Sequence, residues 1–600
     1  MQIKLKIIIY LIITSVLLMS TKFKIHIEDR NYTSWKVYEL NDGVYELTDD
    51  ISRLEPLEHK LFNHDCFTYQ NNELEIVKSP IRSTNFLPGV LIIHGNKTYG
   101  RRNGKLLYRC IPDDQILPSF LIPYELKHVG FSKVYINLYV NFHFVEWRDK
   151  HPIGQLDQVI GPVDVIDHFY EYQLYCKHLN TSIQKFQKDT SKALQKNPQD
   201  AFIANIQTRF PSLEDRTDQK EWNIFTIDPE KSTDFDDAFS IKLYDPASYN
   251  KTILSIYISN VSIWMDVLNL WDSFAKRIST IYLPDRKRSM LPPILSDGLC
   301  SLQSNNTRIA LVLDLVIQNG EIVETRYSNC TIRVTKNYVY EEPALEKNLS
   351  YPTLLNTVRL LSEKYKYIST IQDSHDVVSY LMILMNHYTA REMLKYKNGI
   401  FRSAAILKET SSEIIPTSIP EESAKLLKIM KSSISGKYLN LTSESESFRH
   451  DLLELDAYIH ITSPIRRLVD LLNIIQLQEN IGLIQLSEKA RDFYRLWITE
   501  IEFINTTSRA IHKVQLDCSL LNLCVNHPET LVKEYDGYVF DKYKCSENGL
   551  FHYFVFLPEL KLSSRIVARD DFMNYQHKRF RLYVFQNEEK FKKKIRLHMV

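Results

Sequence analysis

Four aspartates, Asp228, Asp234, Asp236 and Asp237, fall within ten residues of the stretch "FTIDPEKSTDFDDAFSI" (225–241). Their neighbours Ile227, Phe235, Ala238, Phe239 and Ile241 are residues that prefer burial. Offsets of 0, 6, 8 and 9 from Asp228 match neither the helical period of 3.6 nor the strand period of 2.0. The run is therefore expected on a loop whose residues converge on one point. Four buried carboxylates repel one another unless they are protonated or balanced by a cation. A cluster of oxygen ligands suits a hard divalent ion such as Mg²⁺, which keeps part of its water and shares itself with substrate phosphates. One such ion, or two about 4 Å apart, would activate water and stabilise the leaving oxygen in phosphodiester cleavage. A calcium loop of the EF-hand kind needs Gly at its sixth position and Glu at its twelfth. Counted from Asp228, those positions hold Thr233 and Phe239. Taken alone, the run can also be read as an acidic surface turn.

Two further stretches follow the aspartates in order: "RISTIYLPDRKRSMLPPILSDGLCSL" (277–302) and "AYIHITSPIRRLVDLL" (457–472). With them the chain resembles the ribonuclease II/R (RNB) family of 3′→5′ exoribonucleases, which includes the catalytic subunit of the eukaryotic exosome. The family string "TIDP…D-x-DDA" stands here as "TIDPEKSTDFDDA", and "SVYLPDRV-PMLP…LS-GLCSL" as "TIYLPDRKRSMLPPILSDGLCSL". The string "HFTSPIRRY-DL" stands as "HITSPIRRLVDL", and upstream "LPSFLIPY" and "PIGQLDQVIGP" also match. The likeness runs from about residue 80 to 520. It implies hydrolytic, processive degradation of single-stranded RNA to nucleoside 5′-monophosphates with one or two Mg²⁺ ions. Residue by residue, it implies Asp228, Asp234 and Asp237 as metal ligands and Asp236 as the carboxylate beside the scissile phosphate. Arg466, the first Arg of "SPIRR", would steady charge growing on that phosphate. Tyr282, Tyr340 and Arg467 are the expected RNA contacts, with Tyr282 stacking on the 3′-terminal base.

Several family positions differ. "HIADV" becomes "YISNV" (257–261), "VEE-x-M" becomes "VSYLM" (378–382), "R-x-H" becomes Arg402-Ser403-Ala404, and the "AER" segment becomes Val514-Gln515-Leu516. Ser379 and Tyr380 thus replace two acids, one of which helps the family tell RNA from DNA. These losses prompt a rival expectation: a catalytically weakened relative that binds RNA in a structural or regulatory role.

The elements that must position these residues follow from periodicity. From residue 21 to about 150 the pattern is short and alternating with regular turns, as in small β-barrels. Residues 168–197 and most of 351–523 carry helical periodicity, and strands return after His527-Pro528. The expected fold class is α+β multidomain: an RNB catalytic domain, a mixed sheet with helices, flanked by small OB-fold barrels, two N-terminal and one C-terminal. The expected divisions are a hydrophobic leader (1–20), an OB-like barrel (21–80), a second OB-like barrel of cold-shock type (81–165), a helical linker (166–221), the catalytic domain (222–525) and an S1-type barrel with a basic tail (526–600).

Composition adds limits. A length of 600 residues exceeds one core, and 44% hydrophobic with 24% charged residues is ordinary for a globular protein. A net charge of +1 neither demands nor excludes nucleic acid. The terminus at 588–600 is strongly basic, either a solvated tail or a phosphate-contacting surface; Lys97, Tyr99, Arg101 and Arg102 are candidates for a groove. Eight cysteines include no CxxC pair, so no disulfide partner is expected. Residues 1–20 carry Lys4 and Lys6 ahead of an apolar run at 7–19, as a signal or anchor would, or a buried strand. The expected protein is a cytoplasmic monomer, with secretion or membrane association through those residues as the alternative.

Overall fold

The computed structural model describes residues 22–41, 43–48, 54–70, 73–126, 135–195, 199–244, 251–368, 370–404, 415–416, 419–420, 423–424, 427, 436–441, 448–545, 549–587 and 591–600. The apolar run at 7–19 lies outside the described residues. Among the described residues no helix is long and apolar enough to cross a membrane. All eight cysteines are free thiols. The chain is an α+β multidomain protein, and it divides into two compact units: residues 1–180 with 584–595, and residues 181–583 with 596–600.

In the first unit, five antiparallel strands from Lys22–Ile27 to Glu73–Lys78 form an open sheet with the first strand in the middle. The next sheet closes on itself, because Leu87–Ile92 pairs with both Leu138–Glu146 and Lys105–Pro112. Its single parallel contact joins Ile153–Pro162 to Phe120–Tyr124. That closed, partly Greek-key order is the OB-fold arrangement. In the candidate groove, Lys97 lies over the Tyr99 ring and Arg102 is already paired with Glu146.

In the second unit, the central sheet has six strands, among them Ile224–Asp228, Asp237–Leu243, Lys251–Ser259 and Thr307–Gln318. The 19-residue strand Glu321–Val339 pairs first with Thr307–Gln318 and then, in parallel, with Ile224–Asp228. One long strand thus brings the sheet back onto its beginning. Inside, the buried Arg216 makes a two-pronged bond to Asp314 (2.8 and 2.7 Å), which balances its charge. The outer face is covered by helices Tyr351–Lys364, Ser374–Lys395 and Leu468–Asn480. Their shared core takes in Phe225, Ile227, Phe239 and Ile241. This answers why the aspartates have apolar neighbours: the residues on either side of the run anchor the two strands it connects, each contributing roughly 1.5–3 kcal/mol on burial. The unit continues through helices Glu488–Thr499 and Ile501–Asn526 into a C-terminal sheet that begins with Tyr535–Lys544. The basic terminus is not a loose tail: Lys593–Met599 is a strand of that sheet.

Candidate active site

Asp228 is the last residue of one strand and Asp237 the first of the next, so the acidic run is the connection between two antiparallel neighbours. The pair Phe225↔Phe239, carried forward, sets Asp228 opposite Asp236. Backbone bonds pin the connection: Ser259 N donates to Asp236 O (2.8 Å), Leu302 N to Phe235 O (3.0 Å), and Tyr340 N to Asp228 O (3.1 Å). The "SPIRR" turn is held from two sides. Ile465 N donates to Asp236 Oδ1 (2.9 Å), while Thr280 N donates to Arg466 O (3.0 Å).

The four carboxylates are not equivalent. Asp236 accepts from Ile465 N and from Arg466 Nε (3.0 Å), so both its oxygens are engaged. Asp234 accepts from Lys287 Nζ at Oδ1 (2.9 Å) and from Tyr282 Oη at Oδ2 (3.3 Å). By contrast, Oδ2 of Asp228 and Oδ2 of Asp237 are buried with no hydrogen-bond partner. Burial, and then the mutual repulsion of the carboxylates, drives their titration upward. Asp228 is raised to about 7 by burial and by Asp236 and Asp234, against a bond from Thr226 and the charge of Arg466. Asp236 is also raised to about 7, chiefly by burial, with Arg466 opposing. Asp237 is pushed well above the ordinary carboxylate range by burial and by Asp228 and Asp236.

Orphaned, buried carboxylate oxygens are costly, and a cation is what removes that cost. Among the described residues no three His, Cys, Asp or Glu side chains form a ready-made metal cage. Two free oxygens with room for water and phosphate nonetheless fit Mg²⁺, which retains water where calcium would want a fuller shell. The donor set therefore fits the ion, with Asp228 and Asp237 as its holders.

Around the carboxylates lies a cavity of about 950 Å³ whose walls include Tyr282, Lys287, Tyr340, Arg466 and Arg467. Tyr282 is 42% exposed, and its backbone N–H donates to Gln515 Oε1 (2.8 Å). Tyr340 stacks face to face on His375, centroids 3.6 Å apart. Arg467 is turned away from the aspartates: it donates to Asp470 (2.9 Å) and Ser463 (3.1 Å). All eight residues singled out in the sequence thus line this cavity. A second cavity of about 610 Å³ shares Tyr282, Arg466 and Arg467 with it and adds Arg402, Arg509 and His512, with no Asp or Glu among its described lining residues.

Ser379 and Tyr380, which stand where the family string has acids, are not among the residues that line this cavity. The helix turns Val378, Met382 and Asn386 toward the cavity, Ser379 is exposed, and Tyr380 is buried against Tyr367, 5.3 Å between rings. The cause is helix phase: adjacent residues differ by 100°, so neighbours in sequence cannot share a face. Other participants went unnoticed in the sequence. Lys287 donates to Asp297 (2.8 Å) and Thr233 (2.6 Å) as well as Asp234, and Asp297 stands on a π-helical turn, Ile294–Leu299. His460 shares a 2.7 Å bond with Tyr438, and burial beside Arg467 and Arg402 holds its imidazole neutral. Lys287, Asp297 and His460 stood inside the quoted motifs; nothing in the sequence told which partner each would meet.

Comparison with known proteins completes the description. Residues 216–347 and 346–482 match the RNB domain. Ribonuclease R of Aquifex aeolicus (strain VF5) is 33% identical over 208 residues, which is 29% of this chain and 29% of that protein. This chain is thus matched to under a third of that relative's length. Among solved structures, Mycoplasma genitalium RNase R in complex with ribose-methylated single-stranded RNA superposes with a TM-score of 0.65 at 15% identity, covering 96% of this chain and 100% of that one. Yeast Ssd1, a pseudonuclease, superposes with a TM-score of 0.57 at 14% identity, over 93% of this chain and 80% of the other. These two likenesses concern the fold alone. Motif order and domain match agree: the chain carries an RNB domain over residues 216–482.

Proposed function

We propose that this protein is a hydrolytic, processive 3′→5′ exoribonuclease that degrades single-stranded RNA to nucleoside 5′-monophosphates, acting as a cytoplasmic monomer. The observation that carries the proposal is the pair of buried, unpartnered oxygens on Asp228 and Asp237 beside the Asp236–Arg466 pair. Mg²⁺ held there supplies Lewis acidity and neutralises phosphate charge. The chain's own groups do the rest. Asp236 fixes the Arg466 guanidinium, whose other nitrogens are aimed at the cavity where a scissile phosphate would lie. The exposed ring of Tyr282 offers a face for the terminal base, and such stacking is tolerant of sequence. Gln515, by fixing the Tyr282 backbone, sets the depth to which the strand enters.

The test is an oligoribonucleotide labelled at its 3′ end, incubated with the protein and Mg²⁺. Labelled mononucleotide should appear at the earliest times, with no ladder of released longer fragments. If folded protein binds the RNA and releases nothing, the rival role, an RNA-binding relative with weakened catalysis, replaces the proposal.

A further inference from the structure

The number of ions the site takes is decided by a residue outside the four aspartates. We infer that the Lys287 ammonium stands in for a second divalent cation at Asp234, so that the site takes a single divalent ion, on Asp228 and Asp237. This rests on the metal-dependent function proposed above and deepens it.

The hydrogen-bond inventory carries the inference. An ammonium has three N–H donors. In Lys287 all three are matched, to Asp234 Oδ1 (2.9 Å), Asp297 Oδ1 (2.8 Å) and Thr233 Oγ1 (2.6 Å). The lysine is thus fixed in place. The second oxygen of Asp234 faces the Tyr282 hydroxyl, and both oxygens of Asp236 are taken by Ile465 N and Arg466. A second ion close to the first needs carboxylate oxygens from this half of the cluster. None is left. The other half is the reverse, with Asp228 Oδ2 and Asp237 Oδ2 buried and unmatched.

Charge leads to the same count. Of the cations on the wall, Lys287 and Arg466 bond the aspartates directly, and with them one divalent ion balances the four carboxylates. Asp297, 30% exposed, faces Lys287 from the solvent side and is screened by water. In the family string quoted above, the position of Lys287 within "YLPDRK" is a valine, which could neither fill the site nor repel an ion from it.

The experiment counts ions without reference to turnover. Mn²⁺ is titrated into the full chain, and bound ions are counted by calorimetry and by loss of the free-ion electron paramagnetic resonance signal. The native chain should bind one Mn²⁺, Lys287→Met two, Lys287→Arg one and Asp237→Asn none. Two ions in the native chain, one in a folded Lys287→Met, or an ion persisting in Asp237→Asn would each overturn the inference, and so would no binding at all. The native and Asp237→Asn counts keep the test open if Lys287→Met does not fold. Hydrolysis of labelled RNA is measured separately: two ions with hydrolysis sinks the inference and spares the function, whereas one ion without hydrolysis does the opposite.

Discussion

Two cavities meet at Tyr282, Arg466 and Arg467, and carboxylates line one of them while none is among the described lining residues of the other. On one side, carboxylates are buried so deeply that burial raises Asp228 and Asp236 to about 7. On the other, Arg402 is held below the ordinary guanidinium range by burial and by the nearby charge of Arg467. In the first, two carboxylate oxygens, Asp228 Oδ2 and Asp237 Oδ2, have no partner; in the second, the arginines have no carboxylate beside them on the described wall. The residues on the shared wall feel both fields. A negatively charged chain drawn toward the arginines is brought against carboxylates that only a cation renders hospitable, so the acidic side governs reaction and the basic side governs retention.

The largest effect is expected on the acidic side. Asp236→Asn should lower the rate of RNA hydrolysis by roughly 10³-fold or more, measured in single-turnover assays, with RNA affinity by fluorescence anisotropy little changed. Loss of both would mean that the carboxylate holds the turn at Ile465 rather than serving the reaction. On the shared wall, Arg466→Ala should cost about 10²-fold in kcat and also weaken RNA binding, because it removes a donor from both cavities. Tyr282→Ala should raise KM by roughly 5- to 100-fold, the worth of one base–aromatic stack, while Tyr282→Phe keeps the ring and stays near the native value. On the basic side, Arg402→Gln should reduce the slope of log affinity against log salt by about 0.7, the share of one phosphate contact to a single strand. Asp236→Asn should leave that slope where it was, and equal slopes in the two variants would dissolve the distinction.

The smallest effect is on stability. An unfolded aspartate titrates near 3.8, the buried Asp228 and Asp236 near 7, so between those values the folded protein binds more protons than the unfolded one. Stability of the metal-free protein therefore falls as pH rises through that window. A Tm lower by several degrees at pH 8 than at pH 5.5 is expected, with Mg²⁺ restoring more at the higher pH. A Tm that rises with pH would contradict the burial of these carboxylates.

How much of this was legible beforehand follows from distance along the chain. The aspartates lie in one run, and their convergence could be read from offsets that suit no regular element. The α+β layering followed from changes of period, since each period states which face is apolar. What could not be read was the pairing within the cluster. Asp234 meets its lysine 53 residues later and Asp236 its arginine 230 residues later, and no local pattern encodes such partners. Helix phase was the other loss. Ser379 and Tyr380 were found by matching letters, which does not tell that Val378, Met382 and Asn386 are the residues turned to the cavity. Closure of the central sheet was equally silent, because it depends on one strand long enough to serve two neighbours.

The altered "YISNV" segment has a use of its own. Asn260 donates to Asn329 (2.8 Å) and to Gln478 (2.7 Å), and Gln478 donates to Ser262 (2.9 Å), all of them buried. These amides rivet the hairpin strands to the helix that follows Arg466 and Arg467. None of them gains or loses a proton at any pH the protein would meet. This amide joint between sheet and helix is thus deaf to acidity, whereas the Asp236 carboxylate that holds the turn ahead of the same helix changes charge.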